Sequence, residues 1–155
     1  MSQITKHVSY AEMVQTNVKG IDNTPNPSQL ERIILLLNNV FEPLREHVGA
    51  PIKINSIFRS KKVNSAIGGS KTSQHMADNG AAMDIDDSYG HMSNNDMAIW
   101  IKHNVDFDQI IFEKPINGKS SWIHVSYKRT GNRKQVLIFD GRKYLDYKTH
   151  SHLIY

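Results

Sequence analysis

Two histidines and a carboxylate are the groups in this chain best suited to hold a metal ion: His75, Asp84 and His124. The segment from Ser73 to Asp86 reads SQHMADNGAAMDID, and far downstream Trp122-Ile123-His124-Val125-Ser126 sets a histidine in an apolar, strand-like run. A catalytic zinc ion takes three protein ligands of these types and leaves a fourth position open to water. The chain has no His-Glu-x-x-His segment, so no single helix supplies the pair of histidines. Three separated segments must be brought together by the fold. The other histidines (His7, His47, His91, His103, His150, His152) sit in no comparable pattern, and an isolated histidine is ordinarily a surface or satisfied core residue.

The surroundings of the two histidines separate them from the rest. His75 follows Gly68-Gly69-Ser70 and precedes Gly80-Ala81-Ala82-Met83-Asp84, where small residues allow close approach of backbone or metal. In a strand, His124 shares a face with Trp122 and Ser126, opposite Ile123 and Val125. A polar ring between two aliphatic neighbours has a reason to be there.

Several linked motifs then carry a family resemblance. Asn55-Ser56-Ile57-Phe58-Arg59-Ser60 with Val63-Asn64, Gly68-Gly69-Ser70 and Ser73-Gln74-His75 resembles the zinc D-alanyl-D-alanine carboxypeptidases. That group includes phage L-alanyl-D-glutamate endopeptidases and vancomycin-resistance dipeptidases, and shares its fold with the hedgehog signalling domain. Its Ser-x-His, Gly-x-Ala-x-Asp and Trp-x-His pieces are matched in order by Ser73/His75, Gly80/Ala82/Asp84 and Trp122/His124. Ile21-Asp22-Asn23-Thr24-Pro25 and Pro43-Leu44-Arg45 are similar to the small phage and bacterial branch. The similarity runs from about Thr5 to Val136. It implies zinc held by His75, Asp84 and His124, with Ser73 hydrogen-bonding substrate near the metal. Arg59 is expected to grip a substrate carboxylate, because a guanidinium offers two parallel hydrogen bonds; a structural ion pair is the other reading. Ser126 and Gln74 are expected to orient the histidine rings.

Two departures from the family pattern matter. Four residues, Met76 to Asn79, separate His75 from Gly80 where the family usually has two, so this loop should bulge. Asp78 and Asp86 therefore stay open as alternatives to Asp84. Many relatives also carry a carboxylate three residues before the last histidine, and here that position is Ser121. The general base is then expected at Glu113, which ends the apolar run Ile110-Ile111-Phe112 and would face the returning His124 strand in a hairpin. Relatives of the small branch often carry a glutamate there. Asp86 and Asp87 are the other candidates, and the alternative reading of Glu113 is a surface pair with Lys114 or Lys119.

The elements that must position these groups follow from pattern. Ser9-Tyr10-Ala11-Glu12 and Ser28-Gln29-Leu30-Glu31 read as capping boxes. The second leads into a helical stripe, Leu30, Ile33, Ile34, Leu37, Val40, Phe41, Leu44 and Val48. Ile52–Ile57 alternates like a strand that delivers Arg59; residues 61–67 and 93–103 read as helices. Residues 81–85, 109–113, 122–127 and 135–140 read as strands. Helices early and strands late give an α+β domain with an antiparallel sheet. The resemblance implies the hedgehog-type fold, with that sheet flanked by helices, the zinc site on the sheet and one peptidase domain over residues 1–155.

Composition limits the alternatives. A chain of 155 residues buries roughly 70% of its unfolded surface as one domain. It has no cysteine, which excludes a disulfide framework and a thiolate zinc site. No signal-peptide pattern and no membrane-length apolar run is visible, so delivery to a wall would need lysis, a holin-type pore or a virus particle. The net charge of +4 is carried by the end of the chain, where seven lysines and arginines from Lys128 onward face only Asp140 and Asp146. This end reads as a solvated face or an attraction to anionic wall polymers; no nucleic-acid-binding motif accompanies it. The expected protein is a monomeric zinc peptidase acting on the peptide stems of bacterial peptidoglycan, as a phage or prophage lysis enzyme in the host cytoplasm before lysis or on the virion. Carboxypeptidase and endopeptidase action stay open, and the alternative is a catalytically silent wall-binding or virion module.

Overall fold

The computed structural model describes residues 2–155. A two-stranded ribbon, β1 (Gln3–Thr5) and β2 (Val8–Ser9), leads into the short helix α1 (Tyr10–Val14). Ser9 caps α1 reciprocally with Glu12, as its spacing predicts. The next helix begins differently from expectation. Asn26, not Ser28, caps α2 (Pro27–Leu36), with Gln29 closing the box. Pro27 stands at the first helical position, where its missing N–H costs nothing and its fixed φ suits the helix.

This helix runs on through a π turn (Leu37–Phe41) into α3 (Glu42–Val48). Pro43 supplies the reason for the widened turn. A proline inside a helix cannot donate to the carbonyl four residues back and crowds it, here at Asn39. The buried face of the composite helix is Ile33, Leu36, Leu37, Val40, Phe41 and Leu44.

The main sheet has the order β3-β4-β6-β5-β7-β8. Its strands are β3 (Lys53–Ser56), β4 (Ala81–Asp86), β5 (Gln109–Glu113), β6 (Trp122–Tyr127), β7 (Gln135–Phe139) and β8 (Tyr144–Asp146). All pairs are antiparallel except β5 with β7, so the sheet is mixed at that edge. Between strands lie α4 (Lys61–Ala66), a 3-10 turn (Gln74–Met76), α5 (Asn94–Asn104) and, at the end, α6 (Tyr147–His150). The chain is an α+β protein with its helices packed on the sheet.

Register divides the sheet into two chemically different faces. Met83 pairs with Val125 and Ile85 with Ile123; Ile110 and Phe112 pair with the same two residues from the other side. These six are fully buried and form the core with Ile33, Leu36 and Ile101 of the helices. The alternate positions, Asp84, His124, Trp122, Ile111 and Glu113, fall on the opposite face. Helices thus cover one face and leave the other for chemistry.

Two tight turns frame that second face. Asn117 (φ 52°) and Gly118 (φ 78°) make the left-handed pair of a two-residue hairpin turn between β5 and β6. At Gly80, just before β4, φ is +80° and an added Cβ would lie 2.5 Å from the Tyr127 carbonyl oxygen. Gly80→Ala should therefore lower unfolding stability by on the order of 1–3 kcal/mol. A urea midpoint equal to the parent's would show that the β4 entry has room to shift.

Candidate metal centre and cleft

Asp84 on β4 and His124 on β6 occupy directly opposed register positions. His124 Nδ1 lies 3.1 Å from Asp84 Oδ1. His75, from the 3-10 turn above the sheet, places its Nε2 3.3 Å from Asp84 Oδ2. The two imidazole rings meet edge to face with centroids 5.1 Å apart. One ligand atom from each of the three residues falls within 4.8 Å of the others. Asp78 and Asp86 do not join this group among the described residues: Asp78 is exposed and accepts from Gln29 Nε2, and Asp86 accepts from Asn94 Nδ2.

The state of His75 follows from its partners. Its Nδ1 is 2.8 Å from the Ile57 carbonyl oxygen, which can only accept, so Nδ1 carries the proton. In the neutral ring Nε2 is then a bare lone pair. That atom is buried and has no hydrogen-bond partner among the described residues, in a residue only 2% exposed. An orphaned nitrogen aimed at a carboxylate and a second histidine is what a metal ion would satisfy. Two imidazole nitrogens and a carboxylate oxygen form a donor set suited to zinc. The Ile57 carbonyl thus orients His75, and Asp84 itself faces the His124 ring; Gln74 and Ser126 do neither, and the Ser126 hydroxyl is buried without a partner.

The loop between His75 and Gly80 bulges as its length requires. Ala77 takes a left-handed conformation (φ 57°). Arg32 donates to the Ala77 carbonyl at 2.9 Å and Gln29 donates to Met76 and Asp78. The bulge is therefore tied to α2 through Met76, Ala77 and Asp78, while Gln74 donates to the Asn79 carbonyl.

Electrostatics distinguish the two carboxylates on this face. Burial pushes the Asp84 carboxyl upward, but in the metal-free fold the charge of the His75 and His124 rings, when protonated, outweighs it and holds the group far below the ordinary carboxylate range. Glu113 has no such compensation. Burial, with a contribution from the Asp84 charge, raises it to about 7 against the weaker opposing pull of His124 and Lys114. It forms no ion pair among the described residues, and Lys114 instead places its ammonium 5.6 Å from the centre of the Trp122 ring. Such a carboxylate takes and returns a proton near neutrality.

These groups line one open cleft of about 720 Å³. Arg59, Ser73, His75, Asp84, Glu113 and His124 all border it. Ser121 lies outside, exposed, with its hydroxyl donating to the Lys114 carbonyl. Neither Asp86 nor Asp87 reaches the cleft. Arg59 is partly buried, has no carboxylate partner among the described residues, and touches Ser73 Oγ only at 3.5 Å. Desolvation lowers its pKa while Asp84 supports its charge. Ser73 also accepts from the His75 N–H, capping the turn that carries the histidine.

Sequence patterns missed one part of this cleft. Asp108 is fully buried at the head of β5 and receives Arg133, through Nη2 at 2.8 Å and Nε at 3.1 Å, together with Gln74 Nε2 at 3.0 Å. Its only sequence signal is a charge wedged between Phe107 and an apolar strand; nothing local names its partner. No helix of the described residues is long and apolar enough to cross a membrane.

No curated protein sequence matches this chain significantly. The Peptidase M15 family model matches residues 6–126, a span that contains the three converging residues, Arg59, Ser73 and Glu113. With that match and this cleft, the chain belongs to the Peptidase M15 family of zinc-dependent peptidases.

Proposed function

We propose that this chain is a zinc peptidase that hydrolyses the peptide stems of bacterial peptidoglycan, with His75, Asp84 and His124 as the metal ligands. The observation that carries the reading is the buried, unpartnered Nε2 of His75 converging with His124 Nδ1 on one carboxylate. Zinc, when bound there, supplies a Lewis acid that acidifies water and polarises the scissile carbonyl. Glu113 then accepts the proton of the attacking water on its carboxylate and delivers it to the leaving amine. Its position on the cleft face and its pKa near neutrality support this role. Arg59 binds a substrate carboxylate, since its charge is held in the cleft without an internal counterion, and Ser73 hydrogen-bonds substrate beside it.

The bond cut is that of a D,D-carboxypeptidase or an L,D-type endopeptidase. A role as a phage or prophage lysis enzyme is supported by the similarity of Ile21–Pro25 and Pro43–Arg45 to the small phage and bacterial branch. The chain acts as one peptidase domain, a reading favoured by β7 and β8 completing the sheet that carries the ligands. Digestion of purified peptidoglycan, with mass spectrometry of the new termini, tests the reading; a wall left with its original termini would sink it.

The ligand assignment predicts one zinc per chain by elemental analysis. His75→Ala, Asp84→Ala and His124→Ala should each lose most of it, and Asp78→Ala should keep it. Metal lost from the Asp78 variant and retained in the Asp84 variant would reverse the choice of carboxylate.

Arg59→Lys keeps the charge and loses the planar fork. It should lower kcat/KM by about tenfold, the scale of one charge-assisted hydrogen bond, at unchanged zinc content. Equal activity would make Arg59 a structural residue.

Glu113→Gln should bind zinc normally and turn over about 10²–10⁴-fold more slowly. The same variant has a stability signature in metal-free protein. With a folded pKa of about 7 against an ordinary 4.5, folded Glu113 retains a proton that the unfolded chain has released between those values. Stability contributed at this site therefore falls as pH rises through that window. In chelator, Glu113→Gln should be more stable than the parent at pH about 8 and no more stable at about 4. A pH-independent difference in urea midpoints would mean that Glu113 is not desolvated in the fold.

A further inference from the structure

The cleft carries a second set of cationic groups besides Arg59. They come from the loop between β6 and β7, beyond residue 126 where the family match ends. Asp108 takes the Arg133 side chain through Nη2 at 2.8 Å and Nε at 3.1 Å, and its backbone N–H at 2.9 Å. The third guanidinium nitrogen, Nη1, has no protein partner among the described residues, and about half of the side chain is exposed. Arg133 is thus an arginine fixed by a buried carboxylate with one edge left over.

Lys128 stands at the other end of the same loop. Its N–H donates to Asn132 Oδ1 and its carbonyl accepts from Asn132 Nδ2, both at 2.8 Å, which closes the loop on itself. Its ammonium forms no ion pair among the described residues. Lys128 and Arg133 both border the cleft that holds His75, Asp84 and His124.

Arg133 lies toward the other side of the sheet from Arg59, whereas Lys128 continues the ligand strand β6 and lies beside Gly80 and Gln74. Arg59 follows β3 at one side of the sheet, Arg133 precedes β7 toward the other, and the ligand strands β4 and β6 lie between. Asp108 offsets the charge of Arg133 but removes most of the cost of ordering it; Lys128 restores a net positive charge. A substrate with one carboxylate would engage only one of the two cationic sets.

We propose that the cleft takes a peptide with two free carboxylates, and that Arg133 with Lys128 forms the second carboxylate site. This rests on the zinc peptidase reading above. The substrate class is an acidic stem peptide whose internal carboxylate is free rather than amidated.

The test uses the zinc-loaded full chain and a series of synthetic stem peptides in which each carboxylate is replaced in turn by a carboxamide. Two positions should prove sensitive. The second should lose about 10- to 100-fold in kcat/KM, mostly through KM, the scale of charge-assisted hydrogen bonds. Lys128→Gln and Arg133→Gln should reduce discrimination at that second position alone, and Arg59→Lys at the first alone. Arg133→Gln leaves Asp108 buried without its partner and can unfold the loop. Lys128→Gln breaks no internal ion pair, so it carries the test, with zinc content and thermal melting as checks of the fold. A parent enzyme sensitive at only one position, or variants that discriminate as the parent does, would overturn the second site while leaving the peptidase standing. Cleavage of none of the peptides would remove both.

Discussion

One register pairing, Asp84 opposite His124, organises the reactive face of this protein. Side chains alternate along a strand, so a slip of one residue would turn Asp84 into the core and bring Met83 or Ile85 to the cleft. The core prevents that slip, because Met83, Ile85, Ile123 and Val125 are fully buried against the helices. The apolar face therefore holds the polar face in register. His75 joins from outside the sheet, and its placement needs two further links: its carbonyl accepts the Arg59 N–H, and its ring donates to Ile57.

The same face keeps two carboxylates in opposite electrostatic states. Asp84 lies between two imidazoles and stays ionised despite burial; Glu113 is desolvated with no strong partner and titrates near neutrality. Groups whose environments push their pKa values apart mark acid–base sites. The unpaired Glu113 is a local cost that the rest of the core offsets, and a purely structural sheet would have no reason to retain it.

Departures from the family pattern are absorbed by neighbouring elements rather than by the site. The lengthened loop after His75 is laced to α2 by Gln29 and Arg32, so it widens outward. Ser121, where relatives carry a carboxylate, turns to the Lys114 carbonyl at the surface, and Glu113 is the acid that borders the cleft at this end among the described residues. The head of β5 adds Asp108 and the loop before β7 adds Arg133, a buried anion and the cation that answers it. A buried carboxylate without such a partner would be strongly destabilising.

Local pattern by itself determined a good deal of this protein. The strands 109–113 and 122–127 coincide with their predicted limits because alternating β-branched and aromatic residues end at turn formers. The faces of His124 and Glu113 follow from period two alone, and the ordered motifs around His75 and Asp84 make the family legible. Where two caps competed, at Asn26 and Ser28, spacing misjudged the start of α2, since Pro27 favours the earlier one. Pairings between distant segments needed the folded chain. The parallel alignment of β5 with β7, the Ile57 carbonyl behind His75, and the Asp108–Arg133 pair link residues with no shared local pattern. Which buried polar atom meets which partner is a property of packing, and only the tertiary structure decides it.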